Sequence, residues 1–144
     1  LDVAYHDRGT YISIEGPQFS TKAESIVYRE NWKCDVIGMT NMPEAKLARE
    51  AEICYAPIAM VTDFDCWHPD HEHVEVSNII KTLTTNAATA KSLVKTIVAL
   101  LSSKRDRCSH GCDQALEYAI ITDKTKISDA EKERLRPIAG RLLG

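Results

Sequence analysis

Ile53-Cys-Tyr-Ala-Pro-Ile-Ala-Met-Val61 is a nearly unbroken apolar run, and it leads directly into Thr62-Asp-Phe-Asp-Cys-Trp67. An apolar run of this length, set between two helical patterns, predicts a strand buried on both faces of an α/β sheet. Upstream, Ala45, Leu47, Ala48 and Ala51 form the apolar stripe of a helix with Pro43 in its first turn. Before that helix, Cys34-Asp-Val-Ile-Gly-Met39 reads as a second buried strand. Thr10-Tyr-Ile-Ser-Ile-Glu15 reads as another, broken by Gly16-Pro17. Thr21 and Glu24 have the spacing of a capping box, with Ala23, Ile26 and Val27 continuing a helix that fades near Asn31. Downstream, residues 68–75 are polar and predict a loop. Ser77 is placed to cap a long helix whose buried face would be Ile79, Ile80, Leu83, Ala87, Ala90, Val94, Ile97 and Leu101. The basic run Lys104-Arg105-Asp106-Arg107 suits that helix's carboxyl end. Gln114–Ile121 predicts a short helix, and Ser128 with Glu131 caps a last one kinked at Pro137. No repeat, linker or low-complexity tract interrupts the chain. The expected fold is one α/β unit spanning residues 1–144.

Composition narrows the classes of function. With 144 residues, 44% hydrophobic and 27% charged, the chain is long and apolar enough for a substantial core. A net charge of −3 lacks the basic stripe expected of a nucleic-acid binder. Its apolar runs fall short of the ~20 residues that span a bilayer. The expectation is a cytoplasmic protein with neither nucleic-acid nor membrane partners. Five cysteines without dense spacing do not form a secreted disulfide scaffold. Cys34 and Cys54 read as buried thiols, and Cys108 and Cys112 as a reduced pair close enough to bridge if oxidised. His68, His71 and His73, with Asp70 and Glu72, read as a solvated loop, and no metal is expected.

Three stretches carry the chemistry. Asp63 and Asp65 stand two residues apart at the carboxyl end of the expected strand, where α/β sheets place ligands. In a partly dry, like-charged setting a carboxyl group there favours its protonated form, as a general acid needs. On spacing alone, ordinary turn acids, with Asp63 capping the next element, are the better fit. Gly38-Met-Thr-Asn-Met-Pro-Glu44 sets a hydroxyl between a strand end and a helix start, which suits an anion or an ordinary cap. Glu15-Gly-Pro-Gln-Phe-Ser-Thr-Lys-Ala-Glu24 presents Phe19 and Ser20 from a rigid turn. There Phe19 can stack on a planar ligand or staple the helix to the core. Trp67 reads as a packing anchor.

Together, residues 15–25, 35–44 and 59–67 resemble the second half of the 5′-methylthioadenosine phosphorylases of the trimeric purine nucleoside phosphorylase family. The resemblance runs from about Gly9 to Leu101. Residues 111–116 and 139–143 look closer to microbial members. It implies the C-terminal part of a central mixed sheet flanked by helices, within one nucleoside phosphorylase domain. It also implies phosphorolysis of 5′-methylthioadenosine to adenine and 5-methylthioribose 1-phosphate, in purine and methionine salvage. In that reading Asp63 serves N7 of the purine and Asp65 the 6-amino group. Met39 lines the ribose, Thr40 binds phosphate and Phe19 lies against the base. Ile37 and Thr62 contribute to the substrate site, and Ser20 and Val76 match specificity positions. Phosphate is the co-substrate, with no further cofactor.

The same resemblance implies missing parts. The family's glycine-containing phosphate loop, Arg-His pair and further Thr-Ala step have no counterpart among the six scattered glycines and the arginines of this chain. With Leu1 at its start, the chain reads as a carboxyl-terminal piece. Its expected partners are the N-terminal half of the same enzyme and further copies in a homotrimer or higher assembly. Alone it is expected to be inactive. A 6-oxopurine or methylthioinosine phosphorylase, or a non-catalytic nucleoside-binding fragment, are the alternatives. A carboxylate at Asp63 disfavours the first, because an amide would be needed to donate to O6.

Overall fold

The computed structural model describes residues 2–68, 76–101 and 107–144. It divides the chain into two compact units, Leu1–Thr40 with Ile58–Ser103, and Asn41–Pro57 with Lys104–Gly144.

The first unit opens with a β-α-β arrangement. Strand β1 (Tyr11–Ser13) and strand β2 (Val36–Gly38) pair in parallel, with Ile12 opposite Ile37 and Ser13 opposite Gly38. Parallel strands need a crossover, supplied here by helix α1 (Lys22–Ile26) and the π turn Val27–Asn31 that continues it. The predicted capping box is present: Thr21 Oγ1 accepts from the Glu24 backbone N–H, and Glu24 accepts from the Thr21 N–H at 2.7 Å. These bonds hold the Glu24 carboxyl below the usual range. The entry to the ladder is clamped by Asp35, whose Oδ2 accepts from the Thr10 N–H at 2.7 Å. Gly38 is required by close approach, since a Cβ there would lie 1.9 Å from the Tyr11 hydroxyl oxygen.

Helix α3 (Val76–Leu100) also belongs to this unit. It differs from expectation in two ways. Ser77 lies inside the helix instead of capping it. The shielded line is Ile79, Thr82, Asn86, Thr89, Ala90, Leu93 and Ile97, whereas Ile80, Leu83, Ala87, Val94 and Leu101 are exposed. This line mixes apolar residues with Thr82, Asn86 and Thr89, and Asn86 donates from Nδ2 to the Val61 carbonyl at 2.9 Å.

The second unit contains α2 (Glu44–Glu50) and α4 (Asp129–Leu143), with 3₁₀ turns at Cys112–Gln114 and Lys124–Lys126. Pro43 stands at the N-cap of α2. Ser128 caps α4 by accepting from the Glu131 N–H, and Pro137 sits within the helix. The short helix expected over 114–121 is replaced by the 3₁₀ turn and successive turns. Ala139 and Leu143 of α4 are buried. Arg141 joins this unit's segments, pairing with Glu52 at 2.7 Å and Glu117 at 2.9 Å.

The strand expected over Ile53–Val61 does not form. Its backbone has no ladder partner among the described residues, and Ile53, Tyr55, Ile58 and Val61 are exposed. An apolar run becomes a strand only when another strand supplies hydrogen bonds to both of its edges. The large core expected from length and composition is correspondingly absent: among the described residues, only Ser25, Ala139 and Leu143 are buried. Asp70, His71, Glu72 and His73 of the expected loop, and Lys104 and Arg105 of the basic run, lie outside the described residues.

Candidate functional site

All of the expected site residues fall in the first unit. This unit holds a cleft of about 330 Å³ lined by β1, the turn carrying Gly16, Phe19 and Ser20, Tyr28 of the π turn and Trp32 just after it. Gly16 takes φ +73, and a Cβ there would lie 2.8 Å from Met39 Sδ, so the turn and the end of β2 are pressed together. Phe19 is 87% exposed, with its ring free to meet a ligand. Ser20 Oγ is buried with no hydrogen-bond partner among the described residues. Its backbone carbonyl accepts from the Cys66 thiol at 3.6 Å.

The Thr62–Cys66 turn is tied in through Asp65. Ser25, 2% exposed on α1, donates its hydroxyl proton to Asp65 Oδ2, while the Cys66 N–H donates to Asp65 Oδ1 at 2.8 Å. Asp63 differs from the partly dry carboxyl expected. It is exposed and accepts only a local bond from the Thr62 hydroxyl at 2.7 Å. Among the described residues no neighbouring strand covers this end of the chain segment. Beside the turn, Arg29 sits 3.7 Å above the Trp67 ring, and Phe64 meets that ring edge-on at 5.9 Å.

Thr40 lies two residues past the end of β2. Its carbonyl accepts from Ser13 Oγ at 2.8 Å, and its hydroxyl lies 3.5 Å from that of Tyr11. Ile37 is half-buried in β2, opposite Ile12 of the cleft wall. Val76 is the first residue of α3. The structure thus brings Phe19, Ser20 and Met39 to one turn and links Asp65 to the helix behind it. Asp63 and Thr62 bond to each other alone among the described contacts. Sequence reasoning missed Ser25, Tyr11 and Ser13 as supports. Only Ser25 carried a signal, as a small hydroxyl residue directly after the capping-box Glu24.

A second cluster lies in the other unit. The sulfur atoms of Cys54, Cys108 and Cys112 all lie within 4.8 Å of one another. Cys54 is exposed, not buried as expected, and Cys34 is half-buried. Backbone N–H groups of Cys112 and His110, with the Cys54 thiol, bring the Cys108 thiol down to about 7. The same contact with Cys108, ahead of desolvation, pushes Cys54 up to about 11.

Comparison with known proteins places these features in a family. The chain is 56% identical over 141 residues to the S-methyl-5′-thioadenosine phosphorylase of Cereibacter sphaeroides, covering 98% of this chain and 48% of that protein. It is 52% identical over 144 residues to that of Rhodospirillum rubrum, covering all of this chain and 49% of the relative. The chain thus spans about half the length of the curated relatives it matches. Its fold is similar to the crystal structure of a methylthioadenosine phosphorylase from an antarctic soil metagenomic library. That match has a TM-score of 0.78 at 48% identity, over 91% of this chain and 45% of that one. A methylthioadenosine phosphorylase from Schistosoma mansoni in complex with adenine matches with a TM-score of 0.61 at 34% identity, over 76% and 37%. Residues 1–99 match the phosphorylase superfamily as a family, and the chain belongs to it.

Proposed function

We propose that the chain is the base-binding, carboxyl-terminal part of a single nucleoside phosphorylase domain acting on 5′-methylthioadenosine. The observation that carries this reading is the convergence of three separate stretches in one unit. Gly16, at the start of the turn that carries Phe19 and Ser20, packs against Met39, the Ser20 carbonyl accepts from the Cys66 thiol, and α1 holds Asp65 through Ser25.

In the proposed reaction, phosphate attacks the anomeric carbon, the bond to N9 of adenine breaks, and its electron pair leaves with the base. Asp63 delivers or shares the proton at N7, so that the base departs neutral. Proton transfer of this kind contributes about 10²–10⁴ in rate. Asp65 accepts from the 6-amino group with the oxygen lone pairs left beside its bonds to Ser25 and Cys66. Thr40 offers its hydroxyl to phosphate, Met39 lines the ribose, and Phe19 and the unpartnered Ser20 hydroxyl face the base. Ile37, Thr62 and Val76 complete the substrate side. Phosphate is the only co-substrate required.

The remaining phosphate contacts come from the other half of the enzyme, and the working form is a homotrimer or higher assembly. Alone the chain is expected to be inactive. Among the described residues no helix is long and apolar enough to cross a membrane, which accords with a cytoplasmic enzyme.

The test is Asp63→Asn in the complete enzyme, with kcat/KM measured on methylthioadenosine and methylthioinosine. The amide keeps the size but delivers no proton, so the rate on methylthioadenosine falls about 10²-fold or more. Because the amide donates to O6, the loss on methylthioinosine is smaller. An unchanged rate and ratio would make Asp63 a turn residue and sink the assignment.

A further inference from the structure

The three thiols of the second unit fall outside the proposed reaction. Cys108 and Cys112 flank the turn Ser109-His110-Gly111, which Gly111 closes at φ +66 with its N–H on the Cys108 carbonyl at 3.0 Å. Cys54 arrives from the unit's other segment and completes a triangle with edges no longer than 4.8 Å.

A thiolate-bound zinc has Zn–S bonds of about 2.3 Å, so tetrahedral sulfur ligands stand about 3.8 Å apart. The triangle needs only rotamer-sized movements to reach that spacing. Three thiolates around a divalent cation leave one negative charge in excess. Arg49 stands where it offsets that charge, its Nη1 donating to Cys112 Sγ at 3.8 Å. A disulfide, by contrast, would use two of the three sulfurs and need an external oxidant.

We propose that Cys54, Cys108 and Cys112 are the three protein ligands of a thiophilic d10 divalent cation of the zinc class, with water in the fourth position. Binding displaces the thiol protons and pins the 41–57 segment to the 104–144 segment, so the cation is a staple within this unit.

The full chain, reduced and stripped of metal, is titrated with zinc against a chromophoric chelator and with cobalt(II) by absorption. The expected result is one zinc per chain and the intense red-region bands of a tetrahedral, sulfur-rich cobalt centre. Cys54→Ser, Cys108→Ser and Cys112→Ser each weaken zinc by more than the roughly 10–100-fold that a supporting residue contributes, and Cys34→Ser leaves it unchanged. Should a serine variant fail to fold, peptide mapping after alkylation of the unsubstituted chain gives the answer. Zinc then protects Cys54, Cys108 and Cys112 but not Cys34. Sub-stoichiometric zinc, protection that omits Cys54, or isolation of the chain with two of these sulfurs in a disulfide that resists reduction would each overturn the proposal.

Discussion

Ser25 and Asp65, forty positions apart in sequence, meet through a hydrogen bond in which the buried Ser25 hydroxyl donates to the Asp65 carboxylate. A helix one turn long thereby holds an acid that lies on a turn with no strand behind it. Ser25→Ala removes the bond while leaving the acid in place. A hydrogen bond to a charged group is worth about 1.5–3 kcal/mol, and urea unfolding should register a loss in that range. No change in the urea midpoint would mean that the turn is held by Cys66 and Trp67 alone.

Gly38→Ala tests the packing of β1 on β2. The added methyl would stand 1.9 Å from the Tyr11 oxygen and 2.8 Å from its ring carbon, so the ring must swing away from Thr40. Overpacking of this kind costs about 1–3 kcal/mol. Tyr11→Phe in the same chain should restore part of that loss, because it removes the atom in closest conflict. Equal stability of the single and double variants in thermal unfolding would show that the hydroxyl oxygen is not the obstacle.

Thiol reactivity should separate the cysteines in the reduced, metal-free chain. Cys108, facing Cys54, Cys112 and the His110 and Cys112 N–H groups, with Arg49 on Cys112, becomes a thiolate near pH 7. Its alkylation rate should rise through a midpoint near that pH. Cys54 should lag to about pH 11. Mass mapping after timed iodoacetamide treatment reads both rates, and a common midpoint would refute the asymmetry.

The Arg141 ion cluster predicts an acid limit for the second unit. Hydrogen bonds from Arg141, and then from the Leu116 N–H, hold Glu52 below the usual carboxylate range. A depressed folded pKa contributes stability above the unfolded value of about 4.3, lost as pH falls through the folded value. Urea midpoints of the parent chain should therefore drop in that acid window. Arg141→Gln should be less stable at neutral pH and converge with the parent once Glu52 is protonated. Parallel curves across the window would exclude the link.

What could be read from sequence was mostly local. The caps at Thr21 and Ser128 depend on residues three positions away; the reciprocal box formed at Thr21, whereas at Ser128 the hydroxyl accepts from the Glu131 N–H. β1 and β2 were legible as short apolar runs bounded by turn residues. Ile53–Val61 had the right composition for a strand, but a strand is a pairing, and no described segment pairs with it. The inward face of α3 was misread: its hydrophobic period identifies an apolar line, while the shielded line includes Thr82, Thr89 and Asn86, the last bonded to Val61. Phe19, Ser20, Met39 and Asp65 were legible as a group only through the family resemblance. The approach of Cys54 to Cys108 and Cys112 is a tertiary event that no spacing encodes.

The division of the second unit between two chain segments has a consequence during synthesis. Glu52 finds its partners at Leu116 and Arg141, 64 and 89 positions later. At about 5–20 residues per second, a ribosome leaves Glu52 waiting roughly 4–18 s for Arg141. Throughout that interval Ile53 and Tyr55 have no finished unit to join, and the nascent chain offers them to any holdase within reach. The first segment of this unit is made early and folded late, on a schedule set by the emergence of α4.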